Sequence, residues 1–431
     1  MDGMPESFIG PLLADLVCHE VGHTMGLRHN FKSSSLYTLE EMNSEALKGQ
    51  KPFAGSVMDY LPVNFNFENG KIQGDYAMIG VGPYDLWAIE YGYTFDDKKL
   101  PDILKRVAEP ELIFATDEDT LGSDPLARRY DFSKDPLDFA KTQVKLARYH
   151  RDRILEHYVK EGDPWRKARQ GYLMTLSMQI RSTSMMANWL GGAHINRDKK
   201  GDPNGRKPIE VVDAQKQRDA MNFVIENTFF DEAFGLTPEL LQHMVDDSWR
   251  DTGNFSLDPV WPVHDQVAGV QASALSQMLN PTTLRRVFDN EFRVAPEEDA
   301  LTLNEVMTSI TDAVWKELGN LPDGKFSDRI PAISSIRRNL QAEHLERLFD
   351  LANAQSNSAA MKPISNLASL TLRDLKSQLA EAKDHKNLDN YTRAHLVDLH
   401  DRIERWVDAK VVMQNAQTTT ILAPVAQPVD K

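Results

Sequence analysis

His19, Glu20, His23, Gly26 and His29 stand in the order H-E-x-x-H-x-x-G-x-x-H. That spacing can build a metal centre. His19 and His23 are four residues apart, so on a helix their rings share one face, one turn apart. Two neutral imidazoles there can reach one cation at about 2.0–2.1 Å, the distance zinc prefers. Glu20 lies about 100° further round the helix, beside such a metal and not on it, where its carboxylate can take a proton from water. Gly26 can adopt positive φ and end the helix; the chain must turn there for His29 to return as third ligand. Three histidines leave a fourth position open, which is the catalytic pattern and not the closed structural one. At average residue usage a chance match in a chain this long has odds below about one in 10⁴, so a merely histidine-rich surface helix is the weaker reading.

Two further stretches follow. Ser56-Val57-Met58-Asp59-Tyr60 contains a methionine that, taken alone, would be plain core. Ile79-Gly80-Val81-Gly82-Pro83 leads into Tyr84-Asp85-Leu86-Trp87-Ala88-Ile89-Glu90-Tyr91-Gly92-Tyr93. Pro83 suits the first turn of a helix, and Leu86, Ile89 and Tyr93 recur at helical spacing.

Together, H-E-V-G-H-T-M-G-L-R-H-N-F, S-V-M-D-Y and G-P-Y-D-L-W-A-I-E-Y-G-Y resemble the metzincin clan. Within that clan they resemble large bacterial zinc-dependent metalloproteases with a Met-zincin domain. Weaker likeness extends downstream, as in Trp189 to Pro208. The resemblance implies Zn²⁺ on His19, His23 and His29, Glu20 as general base, and peptide-bond hydrolysis of a protein or peptide substrate. It implies a Met-turn at Met58, with Met58 and Gly26 supporting the site. Tyr60 matches a tyrosine that in some metzincin branches approaches the zinc; it would cap the metal, donate to the oxyanion, or be a buried structural ring. Asp85 would anchor the site floor or simply pack. Relatives of this type are exported, so a periplasmic or secreted location is the corresponding expectation.

Only 18 residues precede His19. In metzincins the upper half of the catalytic domain, with a strand that binds substrate by β-addition, lies before this helix. The expectation is therefore a C-terminal portion of a longer enzyme, with the active-site helix starting near Pro11. Two alternatives stand beside self-sufficient peptidase activity. One is a zinc-binding but inactive fragment that needs its upstream half as partner. The other is a helical interaction protein with a vestigial metal site.

The chain carries 64 acidic and 49 basic side chains, a net charge of −15. That disfavours nucleic acid and anionic membrane as partners. No apolar run is long enough for a membrane span, and no signal-peptide pattern opens the chain. The lone Cys18 excludes an internal disulfide and reads as core.

The fold class expected is mainly α: the C-terminal half of a metzincin-type catalytic domain (active-site helix, Met-turn, following helix) plus a large helical region. The boundaries are 1–95 for the zinc-site region, 96–136 for a linker or wrapping segment, 137–410 for the helical part and 411–431 for a disordered tail. The acidic stretch Asp117-Glu118-Asp119 reads as solvated loop, since its order does not match a calcium loop. Ala140, Val144, Ala147, Ile154 and Tyr158 form an apolar stripe. Met174, Met178, Met185 and Met186 read as core. Later helices are expected over 210–230, 237–250, 265–279, 281–292, 302–318, 329–355, 369–383 and 389–409, with His395, Asp398 and His400 on a solvated face.

Overall fold

The computed structural model describes residues 3–67, 72–246, 259–319, 321, 324–354 and 358–408. Among them are fourteen α-helices and one two-stranded ribbon, the mainly α architecture expected. No described helix is long and apolar enough to cross a membrane. The expected disordered tail, 411–431, lies outside the described residues.

Helix α1 (Glu6–Thr24) carries the first two histidines. It starts five residues earlier than Pro11 implied. Pro5 is the extended N-cap, Glu6 places negative charge in the first turn where the helix dipole favours it, and Phe8 packs on Phe65 and Tyr76. That aromatic packing holds the added turn, and Pro11 lies inside the helix. The end of α1 follows the glycine rule. Gly26 has φ +88°, its N–H bonds to the His23 carbonyl, and Leu27 N–H bonds to the Gly22 carbonyl. These two bonds form a Schellman motif, which throws the chain back toward His29.

A short α2 (Leu39–Met42) and α3 (Pro83–Tyr93) complete the first region, followed by α4 (Leu100–Leu104). Residues after α4 then run beside the histidine loop. Phe31 N–H bonds to the Ala115 carbonyl, the Asn30 side chain bonds to both Ile113 and Ala115, and Arg128 N–H bonds to the Phe31 carbonyl. Tyr130 and Ser133 adopt positive φ, a conformation that non-glycine residues hold only where surrounding contacts fix it.

The helical region begins with α5 (Pro136–Arg151), whose buried Ala140, Val144 and Ala147 match the expected stripe. It packs on α6 (Arg166–Ala187). The ribbon pairs β1 (Ala193–Ile195) with β2 (Ile209–Val211) antiparallel. Then come α7 (Ala214–Thr228), α8 (Pro238–His243), α9 (Val263–Met278), α10 (Pro281–Glu291), α11 (Leu303–Val314), α12 (Ser335–Ala352), α13 (Met361–Ala382) and α14 (Asn390–Asp408). Helix α6 also packs on α7, α12 lies against both α9 and α13, and α14 covers α13. Met58 and Val57 share one apolar cluster with Leu340, Leu372 and Leu396. Buried Arg337 ties α12 to the carbonyls of Ala313 and Val314 at the end of α11 and to Glu317, where a cation complements the helix C-terminus.

Several local expectations change. Helix α13 starts at Met361 and not near 369, because Pro363 falls in its first turn, where a missing N–H breaks no helical bond. The expected helix 237–250 is α8 alone as far as described; 247–250 lie outside the described residues. Met185 and Met186 are core, whereas Met174 is 57% exposed. His400 is buried and His395 Nε2 lies 2.9 Å from Gln341 Oε1. Both sit on a helix that packs inward on α12 and α13, so only Asp398 of that trio faces solvent.

Candidate metal centre

The floor is built first by α3. Gly82 precedes it at a spot where a Cβ would lie 2.1 Å from the Gly55 carbonyl oxygen, so only glycine lets the helix approach this closely. Asp85, at the third position of α3, turns its buried carboxylate onto the floor. It accepts from Ser56 Oγ–H, from Val57 N–H at 2.9 Å and from Gly82 N–H at 2.8 Å. Burial lifts the Asp85 carboxyl above its usual range, against the pull of these donors. The carbonyl of Val57 then accepts from His19 Nδ1–H at 2.7 Å. The backbone of one residue, Val57, thus links Asp85 to the first histidine through its N–H and its carbonyl. Met58 is fully buried beneath α1, its Sδ against Gly22.

All three histidines present the same edge inward. His23 Nδ1–H donates to the Leu27 carbonyl at 3.0 Å, and His29 Nδ1–H donates to Asp117 Oδ2 at 2.8 Å. With each Nδ1 facing an acceptor, each Nε2 keeps its lone pair. One ring nitrogen from each of His19, His23 and His29 lies within 4.8 Å of the others. His29 Nε2 is buried with no hydrogen-bond partner among the described residues. Burial, followed by the neighbouring rings, lowers the His19 pKa and so favours the neutral form that ligates metal. The Tyr60 ring packs 5.3 Å from His19 and 4.7 Å from His29. Glu20 is exposed on the open side of α1.

A sequence profile described as Met-zincin matches residues 2–321. The chain belongs to the Met-zincin family. No curated protein and no solved structure matches it. Met-zincin membership carries the broad class of zinc metallopeptidase and implies zinc as cofactor.

The residues present fit such an ion. An orphaned, buried Nε2 is costly unless something fills its coordination, and three neutral imidazoles with outward Nδ1 bonds are a zinc donor set. A second cluster in this Met-zincin chain, His400, Asp401 and Glu404, could also hold a metal. There, however, Lys383 Nζ lies 3.2 Å from His400 Nδ1 and Lys376 Nζ 3.2 Å from Glu404, so ammonium groups already supply the positive charge.

Besides the residues that the motifs single out, the structure brings Gly22, Gly55, Asp117 and Arg129 to this centre. A glycine in a helix interior, unfavourable by about 0.5–1 kcal/mol relative to alanine, was the available signal for Gly22. Nothing local marked Asp117: it reaches His29 from 88 positions away, inside a stretch expected to be solvated.

Proposed function

We propose that this chain holds one zinc ion on His19, His23 and His29 and hydrolyses internal peptide bonds of a protein substrate. The observation that carries the reading is the set of three outward-bonded Nδ1 atoms, which leaves three Nε2 atoms converging. Zinc, when bound, supplies Lewis acidity, polarising a carbonyl and acidifying water. The chain's own residues do the rest. Glu20, next to the first ligand and open to solvent, takes the proton from the attacking water and delivers it to the leaving amine. Tyr60, whose ring packs on His19 and His29, would cap the metal or donate to the developing oxyanion. Met58 and Asp85 keep the floor rigid as a Met-turn. Export to the periplasm or medium is proposed on family likeness alone. The test is cleavage of an unfolded protein by the zinc-loaded chain and its Glu20→Gln variant. Loss of about 10²–10⁴-fold with zinc retained is expected for a general base; equal rates would remove Glu20 from the mechanism.

One observation favours a second reading. Leu13, Leu16, Val17 and Val21 are 50–61% exposed, and at 100° per residue they flank Glu20 on one face of α1. An apolar stripe of this kind beside a catalytic carboxylate marks a covered surface. We infer that a further part of the enzyme, an upstream half, roofs the cleft here. Zinc without activity, with activity restored by adding the upstream region in trans, would favour this reading over self-sufficiency.

A further inference from the structure

We propose that Asp117, braced by Arg129, is a positioning residue that sets the third ligand and thereby the metal affinity of the site; this rests on the reading of His19, His23 and His29 as the zinc site. His19 and His23 are fixed by α1 and by backbone carbonyls. His29 has neither support. It stands on a loop, and its Nδ1–H meets a side-chain carboxylate, Asp117 Oδ2, at 2.8 Å.

Asp117 is itself held. Its Oδ1 accepts from Arg129 Nη2 at 2.8 Å. The Arg129 guanidinium lies 4.6 Å from the centre of the Phe31 ring. Phe31 in turn stacks on His29, rings 4.8 Å apart and 25° from parallel. The four side chains close a ring of contacts: His29 to Asp117, Asp117 to Arg129, Arg129 to Phe31, Phe31 to His29. One edge and one face of the imidazole are thus fixed by groups that also fix each other. A carboxylate behind an imidazole holds the Nδ1–H tautomer and makes Nε2 a stronger donor than a carbonyl would.

The turn that presents Asp117 has separate anchors. Thr116 N–H bonds to Asp119 Oδ2 at 2.8 Å, Arg197 pairs with Asp119, and Arg28 pairs with Glu118. The Arg28–Glu118 pair is exposed, so its removal should disturb the turn little. That pair supplies the control.

The experiment measures zinc affinity by chelator competition, with the visible spectrum of the cobalt-substituted protein, for the unmutated chain, Asp117→Ala, Asp117→Asn and Glu118→Ala. Outer-shell partners typically control affinity by about 10–100-fold. Asp117→Ala should weaken zinc by that factor and shift the cobalt bands. Asp117→Asn, which keeps an acceptor but loses the charge, should fall between. Glu118→Ala should stay within about twofold, as expected for an exposed pair. If Asp117→Ala binds as tightly as the unmutated chain with unmoved bands, the positioning role is wrong. If Glu118→Ala weakens zinc as much as Asp117→Ala, the effect belongs to the turn and the proposal fails. If the unmutated chain binds no zinc, the reading of the three histidines falls first, and this proposal with it.

Discussion

Met58 Sδ occupies the space that a side chain on Gly22 would fill: a Cβ at Gly22 would lie 2.4 Å from the sulfur. The helix that carries His19 and His23 rests on the Met58 side chain at a residue that lacks a Cβ. Met58 is fully buried, so its side chain would have to shift within a packed core to make room.

Gly22→Ala should therefore destabilise the protein, although alanine is the better helix former by about 0.5–1 kcal/mol. Overpacking of a closed core costs about 1–3 kcal/mol, so a net loss near 1 kcal/mol is expected from denaturant midpoints. Unchanged or increased stability would show that Met58 does not support α1 as described.

Asp85 tests the floor from the other side. Asp85→Ala leaves Ser56 Oγ–H, Val57 N–H and Gly82 N–H without their acceptor. Each buried donor left unpaired costs about 1–3 kcal/mol, so a loss of at least about 3 kcal/mol is expected. Because Val57 also holds His19, zinc affinity should fall with stability. A variant that loses stability but binds zinc normally would break the proposed link through the Val57 backbone.

A third prediction concerns acid stability in the helical region. His344 is fully buried; Trp315 Nε1–H donates to its Nδ1 at 3.0 Å, and burial pushes its pKa down to about 3. The unfolded chain takes up the proton near the ordinary value of about 6.5, while the folded chain does not until far lower. The native state therefore binds fewer protons between these values, and stability is full above about pH 6.5 and lost as pH falls toward 3. In metal-free protein, His344→Gln, which keeps an acceptor without the titration, should show a shallower drop in Tm from pH 7 to 5. Identical slopes would assign the acid sensitivity to other groups.

The legible parts of the sequence were those governed by local rules. Spacing placed His19 and His23 on one helix face, Gly26 at its end and His29 beyond it, because each follows from helix period and glycine conformation. Pro83 marked the start of α3, and the inward stripe of α5 matched its apolar spacing. What escaped was set by distant contacts. The true start of α1 depends on Phe8 meeting Phe65 and Tyr76. The burial of His395 and His400 depends on which neighbours α14 meets. Asp117 sits in an acidic run whose other members face solvent or surface arginines, and only the fold singles it out.

In the proposed site three histidine Nε2 atoms converge on one zinc ion. The most direct measurement is metal content by elemental analysis of the purified chain, beside His19→Ala, His23→Ala and His29→Ala, each after dialysis against a weak chelator. One zinc per chain in the unmutated protein, lost in each of the three variants, is the predicted result. No zinc in the unmutated chain, or zinc retained at one per chain in any of the three variants, would contradict it.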